Sequence, residues 1–163
     1  MPGFLGYKSY SYQPVFTAND RLDLIHDYIR HEDKFYLERR TIDKFQQDKF
    51  IYEDENMIFV LDGVVLNALE VCREQQAENF QNAIIFLYRK RKLAFLTELR
   101  GSFSGVVYDK KEDILALFTD QIGSKPIFYY SEKNCFIFSS EIRYLTDSLK
   151  YSGIAYELNT ESA

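Results

Sequence analysis

Cysteine is the residue type in this sequence best suited to act as a nucleophile or a metal ligand, and there are two, Cys72 and Cys135. Cys72 falls in a helical pattern and Cys135 in a strand pattern, and neither has a neighbouring cluster of ligating residues. Such isolated thiols support neither a disulfide framework nor a metal site, so both are expected as small buried apolar side chains. A free amine on Pro2 could serve as a general base, but the sequence carries Met1 ahead of it, which weighs against that chemistry. The densest basic run, Arg89 to Lys92, could be a phosphate patch. Cations are favoured at helix C-termini, and the run is read as a solvated helix end.

The overall balance agrees. The formal charge is -5, and most Lys and Arg residues are interleaved with acids, so nucleic acid is not an expected partner. No apolar run is long enough to span a bilayer, and the first residues lack the pattern of a signal peptide, so a cytoplasmic protein without membrane contact is expected. Hydrophobic residues make up 46% of the 163 positions, enough for one compact domain over 1–163. Thirteen Tyr and 14 Phe point to half-buried aromatic strands.

The elements that must position any site follow from periodicity. Gly3 to Tyr7 reads as a strand beginning almost at the terminus. Asn19 or Asp20 can cap a helix through about His31, with Leu22, Ile25 and Ile29 on one face. Phe35 to Val60 reads as two or three strands around a polar turn at Glu53 to Asn56. Leu61-Asp62-Gly63 reads as a turn, since Asp-Gly is a favoured turn dipeptide. Helices are expected over Ala68 to Glu74 and Glu78 to Arg89. Two hairpins follow, Ser102–Tyr108 with Ile114–Phe118 and Ile127–Tyr130 with Cys135–Phe138. Ser139 or Ser140 can cap a last helix through about Leu149. The pattern alone predicts an α+β fold with sheet packed under helices.

Three blocks in order carry a resemblance. Leu99, Gly101 and Phe103, leading through Val106 and Val107 to Asp109, are similar to the L-x-G-x-F run of class II glutamine amidotransferases. Asp120, Gly123, Lys125, Pro126 and Tyr129-Tyr130 resemble the family's R-D-x-x-G-x-K-P-L-Y-Y. Phe138-Ser139-Ser140-Glu141-Ile142 with Leu145 resembles F-A-S-E-I-K-x-L. Further back, Leu61 to Asn67 resembles the N-G-E-I-Y-N segment, and the opening Met-x-Gly-Phe-Leu-Gly resembles M-C-G-I-x-G. The resemblance is to the amidotransferase domain of asparagine-synthetase-like proteins, and it implies a four-layer αββα sandwich of antiparallel sheets, of the N-terminal-nucleophile type.

It also implies a site that this sequence does not complete. The family's nucleophile is a Cys exposed by Met removal, whose own amine can act as base; here the position holds Pro2. The family's oxyanion-stabilising Asn and Gly correspond to Asp62 and Gly63, and a carboxylate repels an oxyanion. The Asp that holds the substrate ammonium corresponds to the Phe80-Gln81-Asn82-Ala83 stretch, with Gln81 at the position of interest. Glu38-Arg39-Arg40-Thr41-Ile42 resembles E-R-L-S-I, which implies Arg39 as a clamp for the glutamine carboxylate. Arg40 takes that role if the register slips by one, and a solvated strand arginine is the competing reading.

The resemblance therefore implies a degenerate amidotransferase domain, without glutaminase activity, acting as scaffold or interface for an ATP-dependent synthetase domain absent from this sequence. The chain is then expected to be a fragment or an isolated domain, with no cofactor of its own. A glutaminase supplying ammonia, if residue 2 were Cys, and a non-catalytic module binding glutamine or another amino acid are the other readings. A homodimer is left open.

Overall fold

The computed structural model describes residues 3–16, 25–42 and 49–156. They fall into two compact units, one drawn from Met1–Asp43 with Phe128–Ala163 and the other from Lys44–Ile127. Each unit has one antiparallel sheet and at least one helix of its own, the components of an αββα sandwich, and the expected α+β class is present.

In the first unit the sheet runs in the order β2 (Ile25–Glu32), β3 (Phe35–Thr41), β1 (Gly3–Ser9), β9 (Cys135–Ser139), β8 (Phe128–Glu132). The N-terminal strand is central, paired with β3 on one side and β9 on the other, which explains why a segment so near the terminus is ordered. Side chains alternate across it. Tyr7 shares a face with Ile137 and Cys135, and this face packs with Leu145 and Leu149 of α3 (Ile142–Tyr151). Phe4 and Gly6 point the other way, beside Arg39, Leu37 and Phe138, and these strands are buried on both faces. The N-cap of α3 is Glu141, not Ser139 or Ser140. Both serines are otherwise engaged: Ser139 Oγ accepts from Glu141 N, and Ser140 Oγ accepts from Phe4 N at 2.9 Å.

The helix expected up to His31 is corrected. Asn19, Asp20 and Leu22 lie outside the described residues, but Ile25–Glu32 is a strand along the whole length of β3. Helical spacing of Ile25 and Ile29 gave the wrong period because the decisive contacts are polar: His26 and Asp27 meet Glu38 and Arg39 of β3, and those pairings outweigh local propensity.

In the second unit the order is β4 (Lys49–Glu53), β5 (Met57–Val65), β6 (Gly101–Asp109), β7 (Ile114–Thr119). One face, with Met57, Phe59, Leu61, Phe103 and Val107, is covered by α1 (Ala68–Glu74), α2 (Phe80–Arg91) and the 3-10 segment Lys92–Glu98. Ala83, Ile84, Leu87 and Tyr88 recur at helical spacing and are buried there. Asn79 caps α2 by accepting from Asn82 N at 2.8 Å, and Arg89, Lys90 and Arg91 fill its last turn, as the charge pattern predicts. Cys72 is partly buried in α1 against this core, and Cys135 is buried in β9.

A second correction concerns Asp62-Gly63. The dipeptide lies inside β5, opposite Ser104 and Phe103, and the turn comes after Val65. Gly63 is needed there because its φ is +123° and a Cβ would lie 2.2 Å from the Ser102 carbonyl oxygen. Among the described residues no helix is long and apolar enough to cross a membrane.

Candidate functional site

Each unit contributes candidate residues, and each set has its own surroundings. In the first unit β3 carries Glu38, Arg39 and Arg40, all at 2% exposure or less. Strand alternation sends Arg39 to one face and its two neighbours to the other. Arg40 donates through Nε to Glu38 Oε1 at 2.6 Å and through Nη2 to Oε2 at 3.0 Å, and its guanidinium lies 4.7 Å from the Tyr144 ring centroid. Tyr36 Oη donates to Glu38 Oε2 at 2.6 Å, and His26 Nδ1 is also on this carboxylate. Burial pushes the Glu38 carboxyl up, but the hydrogen bonds from Arg40 and Tyr36 and the charges of Arg40 and His26 outweigh it, leaving its pKa below the ordinary range. The same burial and the bond to Glu38 drive the Tyr36 phenol upward.

Arg39 is not a solvated strand arginine. It is 1% exposed, and its Nη1 donates to the carboxylate of Asp27. Arg40, the substitute if the register slipped, is held by Glu38. The position before Gly3, where Pro2 stands, lies outside the described residues.

In the second unit Asp62 is buried on β5, and its Oδ2 accepts from Lys125 Nζ at 2.6 Å. The turn that delivers Lys125 is built on Asp120, whose carboxylate accepts from Phe103 N, Ile122 N and Ser124 N at 3.1 to 3.3 Å and from the Ser124 hydroxyl. The Ser124 hydroxyl, with these N–H donors, holds the Asp120 pKa at about 2, so the turn stays braced by a full negative charge. Ser124 Oγ also meets Ser102 Oγ at 2.8 Å, tying the turn to β6. Asp62 is thus neutralised by an ammonium, a partner that reading the Asp-Gly dipeptide alone missed; the Gly-Ser-Lys-Pro sequence after Asp120 was the available signal.

Gly63 and Gln81 come together. Both line a cleft of about 380 Å³ with Phe50, Val64, Val65 and Phe80, of which no lining side chain carries a charge. Its size is in the range of small-molecule sites. The Gln81 amide, however, donates from Nε2 to the Ile51 carbonyl at 3.0 Å, tying α2 to β4. Asp62 is not among the lining residues. Among the described residues no group of three or more His, Cys, Asp or Glu side chains could hold a metal ion.

The profile of the glutamine amidotransferase domain family matches residues 38–147. A putative glutamine-hydrolysing asparagine synthetase 2 of Methanocaldococcus jannaschii is 32% identical over 106 residues, covering 60% of this chain and 21% of that protein. Glutamine-hydrolysing asparagine synthetase 2 of Bacillus subtilis is 30% identical over 104 residues, covering 61% of this chain and 14% of its own length. The amidase chyE of Penicillium rubens is 27% identical over 99 residues, 15% of its length. The chain thus aligns with about a fifth or less of these relatives. With the three sequence blocks falling inside the matched span, the chain belongs to the glutamine amidotransferase domains, of the class II type related to asparagine synthetases.

Proposed function

We propose that this domain keeps the amidotransferase fold without glutamine hydrolysis and serves as scaffold or interface for an ATP-dependent amide-forming region. The observation that carries the reading is the Asp62–Lys125 ion pair at the position where relatives are expected to place an oxyanion-donating Asn. A carboxylate there accepts hydrogen bonds and donates none, so the developing negative charge of a tetrahedral intermediate loses one of its stabilisers. Pro2 offers no side-chain nucleophile, and Gln81 is committed to a backbone carbonyl rather than presenting an anion to an ammonium group. The partner is read from the relatives, whose names join glutamine hydrolysis to asparagine synthesis and whose lengths leave most of their chain outside the match. A cytoplasmic location fits such a partnership.

The test is glutamine-dependent ammonia release by the purified chain, with the N-terminal mass determined in parallel. Release at background is expected for the wild type and for Pro2→Cys, because the Asp62 and Gln81 positions stay altered. Substantial release by either protein would overturn the reading. The cleft beside Gly63 and Gln81 supports a second reading, a module that binds an amino acid without turning it over; glutamine binding to the wild-type protein without ammonia release would establish it.

A further inference from the structure

The bulge in β2 singles out Asp27. His26 pairs with Arg40 and Tyr28 with Arg39, so Asp27 is the extra residue between two ladder positions of β3. A bulge bends its strand and re-aims a side chain. Here it delivers a carboxylate onto the Arg39 guanidinium, and the two side chains are 4% and 1% exposed. Arg39 heads the largest fully buried side chains among the described residues. A guanidinium in so dry a place demands an anion, and its planar fork is shaped for a carboxylate. The two partners differ in origin: Arg39 lies inside the family-matched residues 38–147, and Asp27 lies outside them, on an edge strand.

We propose that Asp27 is a built-in occupant of a carboxylate site, filling the place on Arg39 that the carboxylate of a free amino acid would otherwise take. The inference rests on Arg39 being a carboxylate clamp, as the resemblance implies. A second carboxylate brought beside the resident one would meet like charge where water cannot screen it, so the wild-type domain excludes amino acids from this site. Removing the Asp27 carboxylate opens it to carboxylates from solution.

The test compares wild type, Asp27→Ala and Asp27→Ala/Arg39→Met by thermal denaturation and calorimetric titration with acetate and glutamine, using chloride at matched ionic strength as control. Asp27→Ala is expected to melt roughly 6–20 °C lower than wild type. Acetate and glutamine should raise that midpoint in a concentration-dependent way while chloride does not, and the double variant should not respond. If Asp27→Ala does not fold in buffer, refolding in acetate replaces melting as the readout; recovery in acetate but not in chloride supports the inference, and recovery in neither overturns it. A folded Asp27→Ala that ignores both carboxylates overturns it too. Wild-type protein that binds glutamine only while Arg39 is present would keep the clamp and remove Asp27 as its occupant. If neither protein binds a carboxylate, the clamp itself falls. Ammonia release decides the inactive reading separately, whichever way these titrations come out.

Discussion

The two sheets bury different things. The helix-covered face of the second sheet is an aromatic lattice: Phe59 lies 5.1 Å from Phe50, 5.6 Å from Phe118 and 5.8 Å from Phe95, ring centroid to centroid, and the buried Asp109 at the end of this face accepts from Tyr88 Oη at 3.2 Å and Lys92 Nζ at 3.0 Å. The first sheet instead carries Glu38, Arg39 and Arg40 in succession through its interior. Aromatic packing gains from every Å² removed from water and tolerates small errors of geometry. Buried charge stabilises only when each group finds its partner in the right place, and a lost partner costs far more than the pair contributes. The aromatic lattice around Phe59 should therefore behave as an ordinary core, and the charged run of β3 as a geometry that is either fully satisfied or badly broken.

The largest effect that can break this contrast is on the aromatic side. Phe59→Ala removes the hub of the lattice and should cost about 3–5 kcal/mol, read as a lower urea midpoint, with little dependence on pH. A loss below about 1.5 kcal/mol would mean that the lattice collapses around the void and is not a rigid core.

Next comes the charged side. Glu38→Gln keeps the shape but strips the charge that faces Arg40, and should cost about 3 kcal/mol. Adding Arg40→Met should recover most of that, because the unmatched guanidinium goes with it; failure to recover would mean that Arg40 contributes through Tyr144 more than through Glu38. The pH dependence has a fixed sign. The folded Glu38 pKa lies below its unfolded value, so as pH falls the unfolded chain takes up this proton first. The stability due to Glu38 is whole above the ordinary glutamate range, about 4.3, and drains away as pH drops through the lower folded pKa. Acid titration of wild type should therefore fall more steeply than that of Glu38→Gln; parallel curves would show that Glu38 is not held in its charged form by the fold.

The same contrast explains what the sequence made legible. Both hairpins, the N-terminal strand and the two helices after residue 67 were readable because alternation or helical spacing of large apolar residues marks a buried face, as in Phe103, Val107 and Phe118. Strand β2 was not, because Ile25 and Ile29 fit a helix and the contacts that hold it, His26 with Glu38 and Asp27 with Arg39, join polar side chains that only the register of a sheet brings together. Asp62-Gly63 misled for a related reason: a dipeptide common in turns sits mid-strand, where a close approach to the Ser102 carbonyl demands glycine. Family-matched positions were found by type and spacing. Lys125 stood in a recognised block, but its pairing with Asp62, like that of Asp27 with Arg39, depends on three-dimensional neighbours that no spacing rule encodes.

The smallest expected effect tests whether burial, and not charge as such, separates the two regions. Arg89 at the end of α2 also pairs with a carboxylate, donating to Asp54 Oδ2 at 2.7 Å and to Tyr52 Oη at 3.1 Å. On paper its contacts resemble those of Arg40. Its side chain is 61% exposed, however, so water already solvates the guanidinium and screens its attraction to Asp54. Holding two side chains in one geometry offsets what Coulomb attraction remains. Arg89→Ala should change stability by about 0.5 kcal/mol or less, part of it through the favourable placement of a cation in the last helical turn, and added salt should erase the difference. A loss near that of Glu38→Gln, persisting in salt, would show that an exposed ion pair in the second unit carries as much weight as a buried one in the first, and the distinction between the two regions would have to be drawn on something other than access to water.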